Sequence, residues 1–299
     1  MTQPPEVLAV GETMVLVAPS LAEPLETAID FHLDPGGAEA NVASHLAALG
    51  RRAAWAGLVG DDALGRRLVA QLAARGVDTT WVGADAEAPT GVYVKDPGRG
   101  VRYYRRGSAA SRMDPAFVAR LPIAGARLLH LSGITPALSA SCDALVDTLF
   151  DTARAAGVPV SFDVNHRPAL WPSTDAAARR LRALAARADL VFVGLDEAAA
   201  LWGAENAKDV RGLLPDVQLL VVKDGAIGAT AFDADGSEHA PALVAELVEP
   251  VGAGDAFAAG YLDAWLDGAS PADRLRAGHE RAVLVLGDTA DFPRPRREG

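Results

Sequence analysis

Thiols are scarce in this chain, where Cys142 is the only cysteine among 299 residues. A single cysteine excludes internal disulfides and any thiolate metal cluster, and it fits a reducing compartment. The thiol reads as buried and incidental, not as a nucleophile. No apolar run reaches the roughly 18 residues that a spanning helix uses. Met1 to Val7 has neither a basic start nor an apolar signal core, so a cytoplasmic protein without membrane contact is expected. Lys and Arg number 28 against 39 Asp and Glu, and the resulting net charge of −11 repels polyanions. Apart from Arg294, Arg296 and Arg297 near the end there is no basic stripe, so no nucleic-acid partner is expected. The histidines, His32, His45, His130, His166, His239 and His279, never fall in paired ligand spacing, which argues against a zinc site. A Walker A pattern is missing as well, so any phosphate grip must be built differently.

What is present is apolar and regular. Half of the residues are hydrophobic, enough for a substantial core in one large α/β domain or two small ones. Glu6 to Val10 reads as a strand and Met14 to Ala18 as a short second one. Helical spacing follows over Ala38 to Leu49 and Asp62 to Ala74, with a strand over Ala53 to Val59 between them. Apolar strands recur at Leu128 to Leu131, Val158 to Phe162, Leu190 to Val193 and Leu219 to Val222. Helices are expected at Ser139 to Ala156, Thr174 to Ala186 and Glu197 to Trp202. Strands buried on both faces and separated by helices imply a mostly parallel sheet covered by helices on both sides.

One region breaks that rhythm. Thr90 to Asp96 and Val101 to Arg106 flank Pro97-Gly98-Arg99-Gly100 and read as a hairpin without a helix. Together with the strand-like pieces between Met14 and Leu33, it is expected to form a small β lid, with lid strands drawn from about 14–34 and 90–107. The whole of 1–299 is expected to be one domain, and 292–299, with two prolines and three arginines, a flexible tail.

Gly252-Ala253-Gly254-Asp255 stands directly before a helical run in which Phe257, Tyr261 and Trp265 recur every four positions. The loop thus supplies a helix N-terminus, whose free N–H groups and positive dipole end attract an anion, phosphate above all. Asp255 repels a phosphate, so its place there suggests proton acceptance from a hydroxyl attacking that phosphate. On these four residues alone an ordinary helix cap is the better explanation of Asp255. Ligands of such sheets bind beyond the carboxyl ends of the strands. Asp163-Val164-Asn165-His166-Arg167, Gly194-Leu195-Asp196-Glu197 and Lys223-Asp224-Gly225-Ala226-Ile227-Gly228 all follow apolar strands.

Pro250 to Phe257 resembles the C-terminal signature of the ribokinase-type (PfkB) carbohydrate kinases, and Gly36-Gly37-Ala38-Glu39-Ala40-Asn41-Val42-Ala43 looks like their N-terminal signature. The resemblance implies a ribokinase-like α/β fold and an ATP-dependent, Mg²⁺-requiring kinase. It makes Asp255 the catalytic base, with Gly252, Ala253 and Gly254 as the cradle for the transferring phosphate. It assigns Gly194, Lys223, Gly225, Gly228, Gly252 and Gly254 to the nucleotide, and Glu197 to the Mg²⁺ water shell. Gly194 replaces the Asn of the family's Asn-x-x-Glu motif, and Glu249 replaces the Asp common before the glycine loop.

Thr90 to Tyr93, Tyr103 to Ser111, Leu129 to Leu138 and Asp163 to Arg167 together look like the 2-keto-3-deoxygluconate kinases of that family. That substrate is a sugar acid, and a guanidinium fork is the natural partner of its carboxylate. By resemblance Arg105 and Arg167 take the acid end, and Tyr93 and Tyr103 supply ring walls. Gly36, Gly37, Asn41, Asn165, Asp255 and Asp288 complete the acceptor site. The alternatives are a fructokinase or nucleoside kinase of the same fold, with both arginines in structural ion pairs, and a catalytically silent sensor. An edge-exposed lid also suggests a homodimer.

Overall fold

The computed structural model describes residues 3–21, 23–244, 251–286 and 292. The chain opens with β1 (Val7–Val10), β2 (Met14–Pro19), β3 (Phe31–Gly36), α1 (Ala38–Ala48), β4 (Ala53–Ala56), β5 (Leu58–Gly60) and α2 (Ala63–Ala74). Then come β6 (Gly83–Asp85), β7 (Val92–Asp96), β8 (Gly100–Tyr104), β9 (Leu128–Ser132), α3 (Ala140–Ala156), β10 (Val160–Asp163) and α4 (Thr174–Ala185). β11 (Leu190–Gly194), α5 (Leu195–Trp202), α6 (Ala207–Leu213), β12 (Leu219–Asp224), β13 (Gly228–Asp233), β14 (Gly236–Pro241), α7 (Ala253–Leu266) and α8 (Pro271–Leu286) complete it.

Eight strands form the main sheet in the order β14-β13-β12-β11-β10-β9-β1-β4. The six from β12 to β4 run parallel, and β13 and β14 extend the edge antiparallel. This is a ribokinase-like α/β architecture. Because each parallel strand is buried on both faces, successive side chains feed two different cores. Val191, Val193, Leu220 and Val222 join one cluster with Leu145, Leu149 and Leu181 of α3 and α4. Leu190, Phe192 and Val221 join the other with Phe257, Tyr261 and Leu262 of α7. There Phe192 meets Tyr261 edge-on, with centroids 5.5 Å apart at 89°. Each fully buried large side chain in such a layer contributes on the order of 2 kcal/mol.

Chain order reverses between β1 and β9: β4 is laid outside β1 on one side and β9 opens the other. Such a switch point splays the following loops apart and leaves a crevice at the carboxyl ends of the strands. The segments after β1 and before α1 join the hairpin strands in a second sheet, β3-β2-β7-β8, separate from the main one as the unpartnered hairpin pattern anticipated. Met14, Leu16, Ala18 and Tyr93 make its small core, while Tyr104 is 68% exposed on the outer strand.

One expectation changes. The strand expected over 53–59 divides at Gly57, where β4 stays in the main sheet and β5 leaves to pair with β6. A side chain at Gly57 would lie 2.5 Å from the Gly11 carbonyl, so the break coincides with close backbone contact. The tight turn expected at Gly225 and Gly228 is present, and it joins β12 to β13 as a hairpin. Asp288 and Glu249 lie outside the described residues, as does all of 292–299 except Phe292. That ring packs 5.0 Å from His45 and under the Arg75 guanidinium at 4.5 Å.

Candidate active site

Asp255 occupies the first turn of α7, directly after Gly252, Ala253 and Gly254. Gly252 is the residue before the helix and has φ of 89°, a left-handed conformation that a side chain disfavours and glycine permits. The first free N–H groups of α7 thereby open toward the crevice. Asn41, from the first turn of α1, donates from Nδ2 to Asp255 Oδ2 at 2.9 Å. Surrounding atoms desolvate the Asp255 carboxyl and lift its pKa to about 7; Asn41, Arg167 and Lys223 oppose that rise, and Asp163 adds to it. A carboxyl so placed can take up a proton near neutral pH.

Lys223 reaches the same place from the end of β12. Its Nζ pairs with Asp163 Oδ2 at 2.8 Å, and a Cβ built on Gly254 would lie 3.4 Å from that nitrogen. Burial works against the ammonium form, but Asp163, Glu197 and Asp255 outweigh it and raise the lysine pKa. An ammonium beside a glycine-lined helix N-terminus fits the charge of a triphosphate. Lys223 therefore stands apart from Gly225 and Gly228, which form the tight turn between β12 and β13. Asp163, buried at the end of β10, was legible only as a carboxylate following an apolar strand. Nothing in the sequence pairs it with a lysine 60 positions away.

Glu197 sits three residues past Gly194, which precedes α5. Its Oε1 accepts from the His166 N–H at 2.7 Å and its Oε2 from the Gly194 N–H at 2.8 Å. Desolvation nonetheless raises its pKa, with nearby Asp163 adding to the effect. With both oxygens serving backbone donors, Glu197 fits Mg²⁺ through the ion's water shell better than by direct ligation. The Gly194 N–H bond is a reach-back from the third helical residue to the residue before the helix, and it leaves the side-chain contact of an Asn at 194 missing.

On the acceptor side Gly36 and Gly37 are demanded by close packing. A Cβ at Gly36 would lie 1.8 Å from the Tyr93 hydroxyl, and one at Gly37 2.3 Å from the Glu12 carbonyl. Tyr93 is buried and Tyr103 is 45% exposed; their rings stack at 5.8 Å. Arg105 lies over Tyr103 at 5.1 Å, as their shared strand face requires. Arg105 also pairs with Glu12 through Nη2 and Oε2, a partner that the sequence did not suggest. Asn165 is buried with φ of 40°, the one described non-glycine residue in the left-handed region. Arg167 donates to the His166 carbonyl at 3.1 Å and its charge reaches both Asp255 and Glu197. Glu39 is a further residue missed: Ser132 and Thr135 donate to its Oε1 at 2.7 and 2.9 Å, and burial pushes its pKa to about 7.

The match to the family model of pfkB family carbohydrate kinases spans residues 4–291 and takes in every element of the crevice. The chain belongs to that family. Among pfkB relatives, it is 36% identical to the 2-dehydro-3-deoxygluconokinase of Thermoproteus tenax, covering 97% of this chain and 91% of that one. It is 34% identical to the 2-dehydro-3-deoxygluconokinase of Bacillus subtilis, over 94% and 90%. The solved PfkB protein from Polaromonas sp. JS666 superposes with a TM-score of 0.87 at 38% identity, covering 95% and 96%. As a pfkB carbohydrate kinase the protein is an enzyme that phosphorylates a sugar-type alcohol.

Proposed function

We propose that this kinase transfers the γ-phosphoryl group of ATP to the primary hydroxyl of 2-keto-3-deoxygluconate, giving the 6-phosphate. One observation carries the reading: the Asp255 carboxyl, its pKa raised to about 7, is held by Asn41 in the first turn of α7, whose start the Lys223 ammonium also approaches. As the acceptor oxygen bonds to the γ-phosphorus, its proton passes to Asp255 and the bond to the β-phosphate oxygen breaks, releasing ADP. Backbone donors at Gly252 to Gly254 and the Lys223 ammonium stabilise charge on the transferring group. Mg²⁺, when bound, neutralises the triphosphate, and Glu197 would hold its water shell. Gly194, Gly225 and Gly228 line the nucleotide side. Gly36, Gly37, Asn41, Tyr93, Tyr103 and Asn165 shape the acceptor side, with Asp288 as a further contact.

Two arginines, Arg105 and Arg167, favour an acid acceptor, as do the names of the relatives. The Arg105–Glu12 pair favours a second reading, in which that arginine is structural and the acceptor is neutral, such as fructose. ADP release with Mg²⁺-ATP and a panel of 2-keto-3-deoxygluconate, 2-keto-3-deoxygalactonate, fructose, ribose and adenosine separates the two. Acids are expected to win, and Arg167→Ala to abolish their advantage; a neutral sugar turning over faster would refute the acid reading. We further propose a cytoplasmic homodimer joined through the lids, whose outer strand leaves Tyr104 exposed. No helix among the described residues is long and apolar enough to cross a membrane.

A further inference from the structure

We propose that Glu12 is a positioning residue that aims the Arg105 guanidinium at the acceptor's carboxylate and so sets the preference for acids over neutral sugars. The inference rests on the sugar-acid reading above. Glu12 follows β1 at the point where chain order in the sheet reverses, the place where this fold opens for a ligand. Its side chain is 1% exposed, and that of Arg105 is 10%. Arg105 Nη2 donates to Glu12 Oε2, while the same guanidinium lies over the Tyr103 ring. Tyr103 is stacked on Tyr93, and the Tyr93 hydroxyl is seated against Gly36. Segments after β1, before α1 and along the lid hairpin thus fix one guanidinium plane.

Only part of the fork is used. Arg105 Nε is buried and meets no acceptor among the described residues, and a buried donor left without a partner is costly. Glu12 engages Nη2 alone, which leaves the Nη1 donors of the fork for the acceptor's carboxylate. The contribution of Glu12 is geometry: a fork already oriented loses less side-chain entropy when an acid arrives. Glu12 is itself held, because its main-chain carbonyl packs against Gly37.

Geometry and charge are separable by substitution. Glu12→Gln keeps the reach of the side chain and an acceptor oxygen but loses the charge; Glu12→Asp keeps the charge but withdraws it by one methylene. The full-length kinase and both variants are assayed for kcat and KM with 2-keto-3-deoxygluconate and fructose, for KM with Mg²⁺-ATP, and for melting temperature. Glu12→Asp is expected to raise KM for the acid about 10-fold, the loss of one charge-assisted hydrogen bond. Its kcat and ATP KM are expected to stay within about 2-fold. Glu12→Gln is expected to keep KM for the acid within about 3-fold, because its amide oxygen still orients the fork. If the wild type shows no preference for the acid, the sugar-acid reading fails. If the wild type prefers the acid, the positioning role is overturned by any of three results. These are an unchanged KM in Glu12→Asp, a loss in Glu12→Gln alone, or tighter acid binding in either variant, which would make Glu12 a competitor for Arg105.

Discussion

Asn41 Nδ2 and Asp255 Oδ2 meet at 2.9 Å across 214 positions of sequence, joining the first turn of α1 to the first turn of α7. The two signature segments of the chain thus converge on one carboxylate. The amide favours the ionised form of a group that burial otherwise pushes toward neutrality.

That balance fixes a pH dependence. A base must be ionised to accept a proton, so kcat/KM is expected to rise with pH through an acid limb near 7, the value to which the Asp255 carboxyl is raised. Asn41→Ala removes a contact that lowers the pKa, and the limb should move to higher pH. pH–rate profiles of both proteins check this; a limb near 4 in the wild type would contradict it.

Stability carries the same signature with a definite sign. A carboxyl whose folded pKa lies above its unfolded value binds its proton more tightly when folded, so its stabilising contribution is complete below about pH 4. It is lost as pH rises toward 7. Asp255→Asn, which stays neutral, should therefore melt higher than the wild type at pH 8. The gain should be on the order of 2 kcal/mol, less than the whole pKa shift would give because the crevice admits solvent. Denaturant melts at pH 8 and pH 5 test it, with the gap expected to shrink at the lower pH. A lower melting point for the variant at pH 8 would mean that Asp255 is a structural cap.

Much of this was legible in advance, for identifiable reasons. Strands buried on both faces are continuous apolar runs, so Leu190 to Val193 and Leu219 to Val222 declared themselves, and the charged residues Glu197 and Lys223 follow closely after them. The lid was legible because Tyr93 and Tyr103 flank a Pro-Gly turn with no helix beside it. β13 and β14 were not, since their residues, such as Thr230, Glu238 and His239, lack the apolar run of an inner strand. The partners of Arg105 and Lys223 were hidden for another reason. Glu12 and Asp163 are brought to them only by the sheet order, across 93 and 60 positions.

The Lys223–Asp163 pair offers a further separation of fold from function. Lys223→Met strands a buried carboxylate, and the expected loss is about 3 kcal/mol or more in stability, with weakened Mg²⁺-ATP binding. Adding Asp163→Leu should restore much of the stability but not the nucleotide affinity. Equilibrium unfolding and nucleotide titration of the single and double variants check both parts; full recovery of affinity in the double variant would remove Lys223 from the phosphate site.

The most direct test is single-turnover phosphoryl transfer from Mg²⁺-ATP to 2-keto-3-deoxygluconate by the wild type and by Asp255→Asn, with nucleotide affinity measured on the same samples. Loss of the base is expected to slow transfer by about 10²-fold or more while ATP binds within a few-fold of the wild-type affinity. Transfer at the wild-type rate in Asp255→Asn would contradict the account.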